Sequence, residues 1–494
     1  MNASPARSAS VNIQPDRTTK TYSRDLFGHF IEHFHRQVYG GIFEPGSPLS
    51  DERGFRQDVI AALRELHVPV VRWPGGCFVS GYHWQDGIGP ERTPVFDRAW
   101  RVTDPNTFGT DEFVAWCREI GAEPYICTNA GTGTGEEMAD WLEYCNSLPG
   151  SRWADRRAGY GNRAPHAVRY WSIGNENYGA WELGARTPGE WGHYVAEAAK
   201  MMRRTDPTVK LLAAAVDDVD WTIPLLKAAG RYLDYVSIHG YWDHLNEVNE
   251  PSDYRQCMAF TVLPEAQIAK TEAILVAMDL KDQVSIAFDE WNLRGWHHPK
   301  PTDAEAIAAR DLNDLNATYT MADAIFSAVF LNTCLRHADT VRMANIAPTV
   351  NARGPLFVHR DGIVRRSTFH VLRLYASLLG PEVLDSHTIA PPLEVPGGSV
   401  PAIDVIATRG NAGSSIIIAF VNKHDREPVS CKVVIGSGPI NGTFDGTLLT
   451  APTPDAYNDV DSPDEIQPVD TKVTVEDGVL TLPPHSVLFV TFPC

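Results

Sequence analysis

The sequence predicts a (β/α)8 TIM barrel followed by a C-terminal all-β sandwich of jelly-roll-like kind. Between about residues 25 and 380, short apolar runs alternate with longer segments whose apolar residues recur every three or four positions. Eight such units fill roughly 350 residues, the size of a barrel with insertions. Beyond about residue 384 the texture changes to short alternating runs broken by Gly, Pro and Asn, the pattern of a sandwich. The expected boundaries are 21–383 for the barrel and 384–494 for the sandwich, which residues 1–20 could join as a further strand.

Taken in order, the expected barrel strands are 27–32, 69–73, 123–128, 169–173, 210–214, 232–239, 283–289 and 340–346. Each is a short run rich in β-branched or aromatic residues, such as "PVVRW", "PYICT" and "VSIAF". Between them "DVIAALRELH", "TDEFVAWCREIG", "EEMADWLEYCN", "PGEWGHYVAEAAKMMRRT" and "PEAQIAKTEAILVAMD" carry apolar residues at helical spacing. The stretch 305–338, "EAIAARDLNDLNATYTMADAIFSAVFLNTCLRHA", reads as one long helix. "PAIDVIATRG", "SSIIIAFVNKH", "CKVVIGSG" and "TKVTVEDGVLTLPPHSVLFVTF" then supply the sandwich strands.

Composition narrows the function. The chain of 494 residues is 43% hydrophobic and 21% charged, ordinary values for a globular protein. Its 43 basic and 62 acidic residues give a net charge of -19, which argues against nucleic acid or an anionic membrane as partner. No stretch is apolar enough to span a membrane, and the N-terminus shows no apolar secretory core. The eight cysteines are scattered, with no C-x-x-C, which fits free thiols in a reducing compartment. A cytoplasmic enzyme is the expectation. Thirteen tryptophans are many, and Trp lines sugar-binding clefts as well as cores.

In such a barrel, functional side chains project from the C-terminal strand ends. Those ends offer Glu32, Arg72 with the "PGGCF" turn, Asn129, Asn175-Glu176, His239 with Tyr241, Glu290 and Asn351. Glu176 and Glu290 stand out. They are 114 positions apart, so only a closed barrel brings them together across its mouth. Two facing carboxylates suit cleavage of a glycosidic bond: one protonates the leaving oxygen, and the other attacks the anomeric carbon or activates water. Asn175 suits a donor to a substrate hydroxyl, and Arg72 suits a charge partner that keeps Glu290 ionised. The negative charge of Glu290 is expected to raise the pKa of Glu176. A solvated-loop origin is the competing reading for one strand-end Glu, and a weak one for two.

Other signals carry less. "NAGTGTGEE" fails the dinucleotide fingerprint because Glu136 stands where the third glycine belongs. His29, His33, His35 and the His297-His298 pair read as packing and hydrogen-bonding residues, so neither metal nor cofactor is expected.

Together "GHFIEH", "RWPGGCFVSGYHWQDGIGP", "NTFGTDEF", "SIGNEN", "SIHGYW" and "AFDEWN" resemble the α-L-arabinofuranosidases of glycoside hydrolase family 51. The resemblance covers about residues 25–350, and the C-terminal sandwich matches that family's second domain. It implies a retaining exo-glycosidase, with Glu176 as acid/base and Glu290 as nucleophile. It further implies that Glu32, Asn175 and Tyr241 bind the arabinofuranosyl unit, in a pocket where Arg72, Cys77 and His239 also stand. The substrate would be an arabinofuranosyl oligosaccharide, and the assembly a homo-oligomer, a hexamer in many members. Two positions depart from the common pattern: Cys77 stands where many members have Asn, and Pro348 stands where a sugar-binding Gln usually sits. The rival readings are a retaining glycosidase of other specificity (another furanosidase, a xylosidase or an endoglucanase) and a non-catalytic sugar-binding barrel.

Overall fold

The computed structural model describes residues 8–17, 20–245, 250–295, 305, 309–410, 413 and 415–493. His297 and His298 lie outside the described residues. Eight strands close into a barrel in which each pairs with its sequence neighbours. They are β1 (Gly28–Phe30), β2 (Val70–Trp73), β3 (Glu123–Thr128) and β4 (Tyr170–Ile173), then β5 (Lys210–Ala214), β6 (Tyr235–Asp243), β7 (Ser285–Arg294) and β8 (Val341–Ile346). All the barrel pairings are parallel. A buried layer of Val70, Tyr125, Tyr170, Leu212, Ala287 and Met343 fills the lumen. Two residues beyond Val70, Tyr125 and Ala287, and beyond Tyr235 that packs against the layer, the inward side chains become polar: Arg72, Cys127, Asp289 and Ser237. The apolar layer is thus the floor of a polar mouth, the side on which such barrels do chemistry.

Two strands outrun the sequence expectation. β6 continues past His239 and β7 past Asp289, with Tyr241 opposite Asn292 and Asp243 opposite Arg294. A buried ion network holds this extension, in which Arg294 bridges Asp243 and, at 2.9 Å, Asp323. Glu290 therefore lies inside β7 rather than just after it. The register also slips: between the Ser237–Ala287 and His239–Glu290 pairs, β7 holds one residue more than β6. That β-bulge breaks the in–out alternation, so the consecutive Asp289 and Glu290 both face the lumen. Phe288 and Trp291 face outward instead, against Phe330.

The single helix expected over 305–338 is also corrected. The regular helix is Met321–Arg336, started by Thr320, whose side chain caps Ala322 N while Asp323 reaches back. Before it, Asp314 and Asn316 bind the buried Arg366 at 2.9 and 2.8 Å, which draws that segment into short turns. Every residue from Met321 to Leu335 is buried. A helix apolar on all sides must be covered on all sides, and here the barrel covers one face and the sandwich the other.

The sandwich has two sheets. One, of seven strands, runs from Lys20–Thr21 through Ile403–Arg409, Ser415–Asn422 and Ser486–Pro493 to Val469–Val475. The other, of five, includes Ser8–Gln14, which pairs antiparallel with Asp385–Ile389 and parallel with Val429–Ile435. Among the described residues, no helix is long and apolar enough to cross a membrane.

Candidate active site

The turn after β4 explains the stretch "SIGNEN". Gly174 has φ +72°, and a Cβ there would meet Asn177 Oδ1 at 2.2 Å and Trp191 at 2.5 Å, so only glycine fits. Glu176 itself sits at φ 44°, a left-handed conformation that side-chain-bearing residues seldom adopt. Its carbonyl accepts from Gly179 N at 2.7 Å, fastening the turn. Its carboxylate accepts from His239 Nδ1 at 2.8 Å and from Trp181 Nε1 at 2.8 Å. Asn175, beside it, is pinned at both ends of its amide: Oδ1 accepts from Arg72 at 2.6 Å, and Nδ2 donates to Glu182 at 3.2 Å.

Across the mouth, Glu290 accepts from the Tyr241 hydroxyl at 2.8 Å and lies 2.9 Å from Arg72 Nη1. His239 Nδ1 is 3.6 Å from the same carboxylate. One oxygen of Glu176, one of Glu290 and a nitrogen of His239 all lie within 4.8 Å of one another. The structure thus gathers Glu176, Glu290, Arg72, Asn175, His239 and Tyr241 at one place.

Glu32 joins them from the end of β1. Its Oε1 accepts from Phe78 N and Trp100 Nε1, both at 2.9 Å. Gly75 and Gly76 let it approach, for a Cβ on Gly75 would stand 2.4 Å from Glu32 Cγ, and one on Gly76 3.2 Å from Glu290 Oε1. Cys77 opens the next turn and stays partly exposed, with its thiol beside Glu182 and Glu176. Pro348 is buried just past β8, where it has no donor to offer. Two other strand-end amides are spent on loops: Asn129 holds Tyr82 O, Gly131 N and Thr132 N, and Asn351 holds Arg36 O and Val358 N. His33 is likewise engaged on both ring nitrogens, by Asp104 at 2.8 Å and Trp73 at 2.9 Å.

The electrostatics turn on His239. Burial pulls its imidazole down, but Glu290, Asp289 and Glu176 outweigh that and hold it up at about 10. Arg72 Nη1 is 3.2 Å from Nε2 and opposes this, yet three carboxylates face one guanidinium. For Glu176, burial pushes upward, and the hydrogen bond and charge of His239 more than reverse it, leaving the carboxyl below the usual range. For Glu290, burial pushes upward, His239 and Arg72 pull down, Glu176 pushes up, and the balance lies above the ordinary value. The expected upward push of Glu290 on Glu176 is therefore overridden, because a cation that the sequence did not place between the acids sits there. Burial lifts Glu32 to about 8 despite its hydrogen bonds, well above an ordinary carboxyl.

Sequence reasoning missed several contributors. Asp289 is fully buried under the site, accepting from Tyr125 OH at 2.7 Å and facing Arg72 at 3.2 Å. Alternation counted back from an inward Glu290 places Asp289 outside, and only the bulge lets both acids face in. Glu182 and Trp181 come from the loop after Glu176, which has no periodicity to read. Trp181 is 67% exposed, and Trp100 packs on Phe34 with ring centroids 3.7 Å apart at the rim.

Two family models match the chain: an α-L-arabinofuranosidase 1 domain over residues 62–258 and an α-L-arabinofuranosidase C-terminal domain over 289–486. An intracellular exo-α-(1→5)-L-arabinofuranosidase of Halalkalibacterium halodurans is 36% identical over 82% of this chain and 83% of its own. An α-L-arabinofuranosidase C of Emericella nidulans is 33% identical over 97% of this chain and 96% of its own. Among solved structures, the α-L-arabinofuranosidase of Thermotoga maritima in complex with arabinose superposes with a TM-score of 0.88 at 34% identity, covering 99% of this chain and all of the other. A family 51 enzyme of Bifidobacterium longum gives 0.89 at 29% identity, covering 100% of both chains. The chain belongs to the α-L-arabinofuranosidases of glycoside hydrolase family 51.

Proposed function

We propose that this enzyme removes terminal, non-reducing α-L-arabinofuranosyl residues from arabinan- and arabinoxylan-type oligosaccharides by double displacement. What carries the reading is the approach of a Glu176 oxygen and a Glu290 oxygen to within 4.8 Å. Retaining glycosidases keep their two carboxyls ~5–5.5 Å apart, whereas inverting ones need ~6.5–9.5 Å to hold a water.

In the cycle, a Glu290 oxygen attacks the anomeric carbon. The bond to the leaving oxygen breaks with its electron pair, and that oxygen takes a proton from Glu176. Water, deprotonated by Glu176, then cleaves the glycosyl ester and frees Glu290. Tyr241 and Arg72 steady the attacking carboxylate. The proton for the first step is stored on His239: passing it along the 2.8 Å hydrogen bond turns Glu176 into the neutral acid without changing the proton count of the pair. Glu32, Cys77 and Asn175 complete the sugar pocket, with Asn175 Nδ2 oriented as a donor because its Oδ1 is held by Arg72.

A cytoplasmic location and a homohexameric assembly belong to the same reading. The intracellular designation of the H. halodurans relative and the seven free thiols among the described residues support the first, and the family resemblance the second. The net charge of -19 disfavours nucleic acid as a partner. Turnover of aryl α-L-arabinofuranoside beside aryl xyloside, galactofuranoside and glucoside tests the substrate, and proton NMR of the first-formed sugar tests the mechanism. Faster turnover of another glycoside overturns the first, and net inversion the second.

A further inference from the structure

At the lip of the cleft the acid/base Glu176 meets two side chains, the Cys77 thiol and the Glu182 carboxyl, that take no step in the hydrolytic cycle. The Cys77 thiol and one carboxylate oxygen each from Glu176 and Glu182 lie within 4.8 Å of one another. They come from separate turns, after β2 and after β4, and meet because the Asn175–Glu182 bond folds the second turn back over the first. Glu182 is 4% exposed. Its Oε2 accepts from Asn175, while its Oε1 has no hydrogen-bond partner although the Cys77 thiol and Ser80 hydroxyl lie beside it, and burial lifts the carboxyl to about 7. A buried carboxylate oxygen without a donor is costly to keep. Nor do the nearby cations serve it: Arg72 is committed to Glu290, Asp289 and Asn175, and His239 to Glu176.

We propose that Cys77, Glu176 and Glu182 form a site for a thiophilic divalent cation, Zn2+ being the type, whose occupation switches hydrolysis off. One sulfur and two oxygens are a zinc-type donor set, and the solvent side of the partly exposed Cys77 and Glu176 leaves a fourth position for water. Tetrahedral zinc with Zn–S of about 2.3 Å and Zn–O of about 2.1 Å separates its ligand atoms by roughly 3.4–3.7 Å. Closing the group from 4.8 Å thus asks for side-chain movements of about 1 Å. The thiol proton leaves to water as the sulfur binds. Magnesium and calcium, which prefer all-oxygen shells, are excluded by the sulfur. The inhibition rests on the acid/base role given to Glu176, since a carboxylate on the ion can neither give nor take a proton; the binding does not.

The test titrates the whole enzyme with Zn2+ and, separately, with Co2+, which replaces zinc in thiolate sites and absorbs light. The proposal expects reversible loss of arabinofuranoside turnover with Zn2+, none with equal Mg2+ or Ca2+, and a thiolate-to-cobalt charge-transfer band in the near ultraviolet. Cys77→Ser should abolish the band. Cys77→Ser and Glu182→Gln should each raise the Zn2+ concentration for half inhibition, measured against that variant's own rate, at least ~10-fold. Undiminished inhibition in Cys77→Ser would place the ion on Glu176, His239 and Glu290 instead and overturn the proposal. The absence of any cobalt band in wild type overturns it equally. A band without inhibition keeps the site and sinks the role of Glu176.

Discussion

Removing the Glu290 carboxylate leaves a space flanked by the Tyr241 hydroxyl and Arg72, both still aimed at the position an attacking anion would take. Glu290→Ala should therefore lose nearly all turnover and regain part of it with azide, yielding a β-configured glycosyl azide; wild-type-like rates end the assignment. Glu176→Ala has a different signature. General acid help is worth ~10²–10⁴-fold, but only when the leaving group needs a proton. Natural oligosaccharides should slow by about that factor and dinitrophenyl substrates far less, whereas equal losses indicate a merely structural role. His239 supplies the third residue-scale prediction. With the imidazole held at about 10, the proton shared with Glu176 is lost only at high pH, so kcat/KM in the free enzyme should stay up until then. On the acid side, activity falls as Glu290, raised above an ordinary Glu, takes a proton. His239→Gln removes the reservoir, and the remaining proton must sit on Glu176 alone. The alkaline limb should then move to lower pH; an unmoved limb refutes the shared-proton account.

At the scale of elements, legibility followed periodicity. The eight barrel strands could be read because each is a short apolar run between helical segments, and the positions of Glu32, Arg72, Asn175 and Glu176 followed from where those runs stop. The bulge in β7 could not be read. "VSIAFDEWN" is an apolar run that ends in two consecutive acids, and nothing in it says that β7 holds an extra residue opposite β6. So Asp289 was missed, although it anchors Tyr125, Ser237 and Arg72 beneath the site. Glu182 was missed for another reason, since it acts through a loop whose path depends on contacts distant in sequence. The long helix failed because helical spacing continues through Asp314 and Asn316, whose bonds to Arg366 break it. Asp289 offers a prediction. Burial pushes its carboxyl up, but Arg72 and His239 outweigh that and hold it down at about 2, so it is a fixed anion. Asp289→Asn keeps the shape and removes the charge, leaving the buried Arg72 with Glu290 alone. Breaking such a pair costs ~3–5 kcal/mol, and the imidazole of His239 loses one of the carboxylates that hold it up. Denaturant unfolding should show the destabilisation and the pH profile an acidward alkaline limb. A stable variant with an unchanged profile would mean that Asp289 tunes nothing.

The whole molecule is joined through the helix Met321–Arg336. Asn332 and Arg336 on it bind Asp404 of the sandwich at 2.6 and 3.0 Å, and Tyr375 packs on Phe489 with ring centroids 5.2 Å apart. Because that helix is buried all round, the barrel cannot shed the sandwich without exposing Ile, Val, Leu and Phe to water. The sandwich depends in turn on the start of the chain. Ser8–Gln14 pairs on both edges, and Ala9, Val11 and Ile13 alternate into the sandwich core. Burying Val11 and Ile13 contributes about 1.5–3 kcal/mol each, a large part of the ~5–15 kcal/mol by which a domain is stable. Val11 is 1% exposed, so Val11→Asp places an unpaired charge among apolar side chains, at a cost of several kcal/mol unless the strand leaves the sheet. Loss of that strand opens the edges of Asp385–Ile389 and Val429–Ile435 and loosens the sheet that supports the Met321–Arg336 cover. Calorimetry of the variant should show one transition, shifted to lower temperature, with arabinofuranosidase activity lost across that same transition although the substitution is remote from the cleft. Two separate transitions, with activity surviving the first, would show that the barrel stands without its sandwich.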